Sequence, residues 1–354
     1  MRIAFILTYP LYHDGIPIDQ WLVQTCRERH LAGLVAARGH RVEFWAVGKE
    51  ETHVACEVHG GEFTIRIFKA NRMGKRAKHD ASDMLVNHAR IFNADLHILK
   101  GVDGGVGDLL IREYLEKDRR PLAFILGGSY QSRYHSLARI VFYESDVQKQ
   151  GLMASGWRFW QTRPTAKSLI RLPKWVDNQV FASQSFEKKW DILVVGRLFR
   201  PYKNYDALGP LSSYFRVAVA GGGEDAHRLR STYHKVQWLG FVPNRKLPEY
   251  INRARLLMHT SFKDFYPRVI AEALACGVPC VAFAGAIAED VIPAECGLLM
   301  NRKNYIVSLN ELLRDEMRLG QMGEQALQHA RAHIGKEACL VALKKMFDRL
   351  EIDT

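Results

Sequence analysis

The sequence predicts an α/β protein built from two doubly wound, mostly parallel sheets. Three observations carry this. Short, wholly apolar runs alternate with longer amphipathic stretches, which is the rhythm of β-α-β units with strands buried on both faces. The alternation runs once before about residue 185 and starts afresh near residue 190. The length, 354 residues, suits two such domains.

The elements follow in order. IAFIL at 3–7 reads as a first buried strand, and residues 19–38 as a helix closed by Gly39. RVEFWAV at 41–47 and FTIRIFK at 63–69 are the next strands, followed by DLHIL at 95–99 and LAFIL at 122–126. A helical stretch at 106–117 lies between the last two. The right-handed crossover rule makes such a sheet mainly parallel, with ligands expected beyond the carboxyl ends of its strands.

The second series begins with DILVVG at 191–196 and FRVAVAGGGED at 215–225, a strand running into a glycine turn. VQWLGFVP at 236–243 reads as a short strand and turn, LPEYINRA at 247–254 as a helix, and RLLMHT at 255–260 as a strand. A helix over PRVIAEALACG then precedes the strand PCVAFA at 279–284. The last helices run from about Asn310 and include ALKKMFDRL at 342–350.

Composition narrows the class. Hydrophobic content of 47% and charged content of 25% suit a globular chain with real cores. No apolar run reaches the ~18 residues that span a bilayer. The opening MRIAFILTYP leads into polar residues rather than a small-residue cleavage site, so it reads as a strand and not as a signal peptide. The six cysteines (26, 56, 276, 280, 296, 339) show no zinc spacing and read as small buried residues of a reducing compartment. The fourteen histidines contain no H-E-x-x-H pair.

The formal charge is +12, and residues 1–190 hold 28 basic against 20 acidic residues, so most of the excess lies there. Two segments concentrate it. RIFKANRMGKRAK covers 66–78, and 156–175 sets Trp157, Phe159, Trp160 and Trp175 among five basic residues. Such segments suit a lipid headgroup surface or single-stranded nucleic acid, and equally a solvated loop with a few buried aromatics. No nucleic-acid module is recognisable, and none is expected as a partner.

The chemistry concentrates in SFKDFYPRVIAEALACGVP, Ser261 to Pro279. Asp264 and Glu272 are separated by seven residues. Pro267 favours a first helical turn, which leaves Asp264 in a loop and puts Glu272 inside the helix. A helix start favours anions, and a neighbouring acid can accept hydrogen bonds from vicinal hydroxyls. Phosphate plus hydroxyls describes a sugar nucleotide. The second motif, GRLFRPYKN from Gly196 to Asn204, follows a strand. Arg197 and Lys203 can converge there on one anion, Arg as a fork and Lys as a point charge. Two fixed cations would stabilise a departing diphosphate without a metal.

Together these motifs resemble the retaining glycosyltransferases of the GT-B fold, family 4. The family pattern is roughly S-x-x-E-G-F-P-x-x-x-x-E-A-x-A-x-G-x-P. The chain keeps Ser261, Pro267, Glu272, Ala273, Ala275, Gly277 and Pro279, with Asp264 in place of Glu and Phe265 in place of Gly. Gly196, Arg197 and Leu198 match G-R-L-x-x-x-K-G, with one extra residue before Lys203 and Asn204 replacing Gly. The resemblance implies that Glu272 binds ribose hydroxyls, that Asp264 faces the donor sugar with Phe265 and Tyr266 beside it, and that Gly196, Arg197 and Lys203 meet the phosphates.

Further likenesses are weaker. GGGED at 221–225 resembles a G-x-G turn of the nucleotide domain, LGFVP at 239–243 the stretch beside the base, and AGAIAEDV at 284–291 a G-G-x-x-E-x-V segment that retains Gly285 and Glu289. Glu289 reads equally well as a surface acid at a helix start. LPKWVDNQVF at 172–181 resembles the interdomain sequence, with Lys174 and Trp175 replacing Asn and Gly. In the first domain Gly15 is the candidate for a donor-phosphate loop. Gly127 stands where the family often has a sugar-facing His, and His135 is close by in sequence.

The implied architecture is GT-B, two Rossmann-like domains facing across a cleft. Residues 1–185 form the acceptor-side domain, 186–335 the nucleotide-sugar domain, and a helix at about 336–354 packs back on the first. The implied activity is retaining transfer of a sugar from a nucleotide-sugar donor to an acceptor hydroxyl, with a glycan or lipid-linked glycan among the expected acceptors. Arg197, Lys203 and Asp264 are the expected catalytic residues, with no cofactor and no metal implied. A cytoplasmic protein is expected, with peripheral contact to an anionic membrane at its inner face. Three alternatives stay open: a sugar-nucleotide epimerase of the same architecture, a non-catalytic binder of nucleotides or anionic polymers, and a dinucleotide oxidoreductase, which the absence of a strand–G-x-G-x-x-G–helix fingerprint disfavours.

Overall fold

The structure is a computed structural model that describes residues 1–15, 17–23, 26–128, 130–154, 162–199 and 203–350. The chain divides into two compact units, Met1–Trp175 with Cys339–Thr354, and Val176–Ala338. It crosses between them at 175/176 and 338/339, where divisions at 185/186 and 335/336 are expected from sequence.

In the first unit β1 (Arg2–Leu7), β2 (Arg41–Gly48), β3 (Thr52–Val58), β4 (Gly61–Lys69), β5 (Leu96–Lys100), β6 (Leu122–Ile125), β7 (Ile140–Tyr143) and β8 (Leu169–Arg171) form one sheet. Its order is β3-β4-β2-β1-β5-β6-β7-β8. Phe5 pairs in register with Phe44 on one side and Ile98 on the other, and the sheet is parallel except where β3 meets β4. The expected run 41–47 is buried almost throughout, as a central parallel strand must be. Helices α1 (Ile18–Val23), α2 (Arg27–Ala36), α3 (Asp83–Phe92), α4 (Gly105–Leu110) and α5 (Asp146–Met153) connect the strands.

Several readings need correcting. Residues 19–38 hold two helices rather than one, with Cys26 as the extended residue before α2. The helix expected at 106–117 is α4 followed by a π turn over Ile111–Leu115. Strand β3 was not expected because its residues alternate between half-buried and exposed, with no apolar run. It hairpins onto β4 through His59 and Gly60, both at positive φ (57° and 75°), as a two-residue turn requires. Strands β7 and β8 are short and were also unread.

The second unit contains β9 (Trp190–Val195), β10 (Val217–Ala220), β11 (Gln237–Gly240), β12 (Ala254–His259), β13 (Cys280–Phe283) and β14 (Gly297–Met300). The sheet is parallel, in the order β11-β10-β9-β12-β13-β14. Around it lie α6 (Leu208–Tyr214), α7 (Ala226–Thr232), α8 (Leu247–Asn252), α9 (Arg268–Ala275), α10 (Tyr305–Arg314) and α11 (Glu316–His333). The terminal helices therefore start near 305 rather than 310. The last, α12 (Lys336–Arg349), sends Cys339, Ala342, Leu343, Met346 and Phe347 into the core of the first unit with Val42 and Phe44.

All six cysteines are free; Cys26 and Cys56 are half-buried, not buried as expected. Among the described residues no helix is long and apolar enough to cross a membrane. Trp157, Phe159, Trp160, Arg200, Pro201 and Tyr202 lie outside the described residues. Lys174 and Trp175, read with that basic–aromatic segment, are tied into the first unit. Lys174 Nζ donates to Glu144 at 2.8 Å, and Trp175 stacks on His30 with ring centroids 4.1 Å apart. His135 is likewise a core residue, buried with its Nε2 2.7 Å from Tyr130 O. Gly127 O accepts from Gln148, and the space where a side chain would start at Gly127 borders Lys100.

Candidate active site

Strand order creates the site. In the second sheet β9 lies beside β12, with β10 and β11 built outward on one side and β13 and β14 on the other. The chain thus reverses its winding direction between β9 and β12, and loops leaving the carboxyl ends of these two strands flank a crevice. The loop after β9 carries Gly196, Arg197 and Lys203; the loop after β12 carries Ser261 and Asp264. A backbone bridge joins Lys203 to Ser261, and Asn204 N donates to Thr260 O at 3.0 Å. The two sequence motifs are therefore one construction.

Pro267 stands at the N-cap of α9 with φ −64° and ψ 125°, so the helix begins at Arg268, as expected. Asp264 is in the preceding loop, pinned by donation of its N–H to Ala286 O at 2.7 Å. Lys203 Nζ lies 2.5 Å from Ser261 Oγ and 3.9 Å from Asp264 Oδ2. Burial pushes the Lys203 ammonium below its ordinary pKa, against the opposing pull of Asp264. Its side chain is only 20% exposed. The Arg197 side chain is by contrast 73% exposed, with Nη2 3.4 Å from Glu224. Its carbonyl is fixed by donation from the Tyr205 hydroxyl at 2.8 Å.

Glu272 is buried on α9, and its Oε1 accepts from Asn244 Nδ2 at 2.9 Å. Burial raises its pKa, with the Asn244 hydrogen bond opposing. Phe265 is half-buried, while Tyr266 is buried in the apolar core of the unit. Glu289 is exposed and opens a 3-10 turn.

A cavity of about 400 Å³ lies at the ends of β9, β10 and β11, lined by Gly196, Arg197, Gly222, Phe241, Val242 and Leu247. The glycine turn makes it possible. A Cβ at Gly221 would fall 1.9 Å from Gly196 O, and one at Gly223 2.5 Å from Leu198 O. Phe241 stands at this cavity with 79% of its surface exposed. In the first unit Gly15 caps a 3-10 turn at φ 69° and donates its N–H to Tyr12 O.

Two residues were missed from sequence. His259 ends β12, only 2% exposed, with Nε2 3.6 Å from Asp264 Oδ2. Burial, helped by Lys203, pushes its pKa down to about 3, so it is neutral beside the carboxylate. A polar residue at the carboxyl end of an apolar strand was the available signal. Asn244 follows β11, and its only signal was the same placement beyond a strand end; Phe241 lies in the stretch 239–243 expected beside the base.

A chain of two doubly wound units with a charged crevice at the switch point belongs to the GT-B class. The structure of Anabaena HepE in complex with UDP superposes with a TM-score of 0.69 at 15% identity, over 99% of this chain and 100% of that one. Residues 176–329, within the second unit, match the family Glycosyl transferases group 1. The D-inositol 3-phosphate glycosyltransferase of Corynebacterium aurimucosum is 30% identical over 129 residues, 32% of this chain and 31% of that protein. The GDP-mannose-dependent alpha-mannosyltransferase of Mycobacterium tuberculosis is 29% identical over 151 residues, 38% of this chain and 40% of that protein. The chain thus aligns with less than half the length of either relative.

Proposed function

We propose that the protein is a retaining glycosyltransferase that moves a sugar from a nucleotide-sugar donor to an acceptor hydroxyl. The observation that carries the reading is the meeting of Lys203 and Asp264, 3.9 Å apart, at the switch point of a unit that matches the glycosyl transferases group 1 family. In this reading Arg197 and Lys203 hold the donor diphosphate. As the bond from sugar C1 to the phosphate oxygen breaks, negative charge grows on the leaving group, and two fixed cations stabilise it. Asp264 accepts from hydroxyls of the sugar and Glu272 from those of the ribose. Gly196 allows the phosphates close to the backbone, and Phe265 borders the sugar.

The acceptor oxygen attacks C1 from the face that the diphosphate vacates. Its proton passes to the departing phosphate oxygen, so the scheme needs no protein base and no metal. Phe241, exposed beside the cavity, offers a flat surface for the nucleobase. The relatives support both a uridine and a guanosine nucleotide, since HepE was solved with UDP and the mannosyltransferase is named for GDP-mannose.

The test is incubation with UDP- and GDP-sugars, with nucleoside diphosphate release and product anomer followed by NMR. Retention of the donor anomer in the product is expected. Release of an isomerised sugar nucleotide without any transfer would favour the epimerase, and nucleotide binding without turnover a non-catalytic binder.

A further inference from the structure

The first unit has a cavity of its own, about 680 Å³, at the carboxyl ends of its strands. Three loops build it. Arg72 follows β4, Gly104 and Gly105 follow β5, and Ser132 to Tyr134 follow β6. It borders the point where this sheet also reverses its winding, between β1 and β5. The wall depends on glycine. A Cβ at Gly104 would lie 1.8 Å from Thr8 O, and one at Gly105 2.1 Å from His79 O. The segment ending at His79 can therefore close against the start of α4, and the cavity has a shaped side rather than an open surface.

Its polar groups have a definite bias. Asp108 is the hub: it accepts from the Tyr134 hydroxyl and from Nη2 of Arg133, and it forms an ion pair with Nε of Arg112 at 3.1 Å. One carboxylate thus fixes two guanidinium groups, and each contact engages a single nitrogen of a five-donor fork. Arg133 is also held over the Tyr134 ring, 4.9 Å from its centroid. The other lining carboxylate, Asp103, is bound by Lys78 at 2.5 Å. Arg72 reaches the cavity while bonded to Asp83 at 2.8 Å. Positive charge is left over among pre-positioned forks, and such forks match phosphate or carboxylate oxygens. The volume suits one sugar-sized ligand.

We propose that this cavity binds the acceptor through an anionic group, a phosphate or carboxylate carried on a polyhydroxylated body, with Arg112 and Arg133 as its clamp. Its role as an acceptor site rests on the glycosyltransferase reading; the binding of the anion does not.

The test titrates the full chain with glucose, glucose 6-phosphate and UDP by calorimetry. Glucose 6-phosphate is expected to bind about tenfold or more tighter than glucose, since charge-assisted hydrogen bonds separate the two. Arg112→Gln with Arg133→Gln should remove that preference and leave UDP binding unchanged. Arg72→Gln, at an exposed side chain, serves as the second variant and should weaken glucose 6-phosphate several-fold while lowering the salt sensitivity of its binding less than the double variant does. Equal binding of glucose and glucose 6-phosphate, or an unchanged preference in the folded double variant, overturns the proposal. A chain that binds glucose 6-phosphate but no nucleotide would instead sink the glycosyltransferase reading and spare the cavity. Flotation with phosphatidylglycerol vesicles separates two sources of the anion. Vesicle binding lost in the double variant assigns it to a lipid headgroup, and unbound vesicles beside bound glucose 6-phosphate assign it to a soluble acceptor.

Discussion

His259 Nε2 faces Asp264 Oδ2 at 3.6 Å, buried and without a hydrogen-bond partner among the described residues. Because burial holds the imidazole neutral, this is not an ion pair. The contact is just too long for a hydrogen bond, and Lys203 approaches the same carboxylate oxygen from 3.9 Å. If a donor diphosphate draws Lys203 away, His259 is the neighbour placed to take over Asp264.

The first prediction concerns pH. The folded pKa of His259, about 3, lies below the ordinary value of 6.5. The unfolded chain therefore binds more protons between these values, and stability rises with pH across that window. The contribution is complete above about pH 6.5 and is lost as pH falls toward 3. His97, with its pKa pushed down to about 4 by burial, acts in the same direction. Thermal unfolding from pH 7 to 4 should show a falling Tm, less steep in His259→Gln. An identical slope in that variant would remove His259 as a source.

The second prediction separates the two cations. Arg197→Ala and Lys203→Ala should each lower kcat by roughly two orders of magnitude, as loss of a strong transition-state contact does. Their stabilities should differ. Arg197 is exposed, and its removal should leave Tm unchanged, whereas Lys203 bonds Ser261 under partial burial and its removal should cost about 1 kcal/mol. Wild-type turnover in both variants would refute the clamp.

The third prediction divides the acids. Ribose is common to substrate and product, so Glu272→Ala should weaken nucleoside diphosphate binding. Asn244→Ala should do so too, because its amide orients Glu272 at 2.9 Å. Asp264→Ala should impair transfer far more than diphosphate binding. Calorimetry with UDP and GDP checks this, and equal losses for Asp264→Ala and Glu272→Ala would contradict the division.

The fold was legible wherever a strand is buried on both faces, because an apolar run such as IAFIL has few other destinations. It was illegible at β3, whose outer face is solvated, and at β8, which has only three residues. The pairing of Lys203 with Asp264 was legible as two motifs but not as a contact, since only the strand order β9-β12 brings the loops together. His259 was hidden for a related reason. One histidine at the end of an apolar strand acquires meaning only when the following loop folds a carboxylate back over it. Burial of Lys203 was equally invisible, because its bridge to Ser261 is a long-range event.

The last prediction concerns metal. Divalent ions often neutralise a diphosphate leaving group, but they need carboxylates free to coordinate them. Here Asp264 faces Lys203, and Glu272 is buried and bonded to Asn244. The proposed source of charge is Arg197 and Lys203, and a protein cation cannot be removed by a chelator. Sugar transfer, or donor hydrolysis if the acceptor is lacking, should therefore keep its rate within about twofold in excess EDTA, a change of less than ~0.5 kcal/mol in barrier. Added magnesium should not restore activity to Lys203→Ala, because the described residues hold no group of three or more metal ligands that could fix an ion in place of the ammonium. Loss of activity in EDTA with recovery on magnesium would show that the charge comes from a metal, and the roles given to Arg197 and Lys203 would have to be withdrawn.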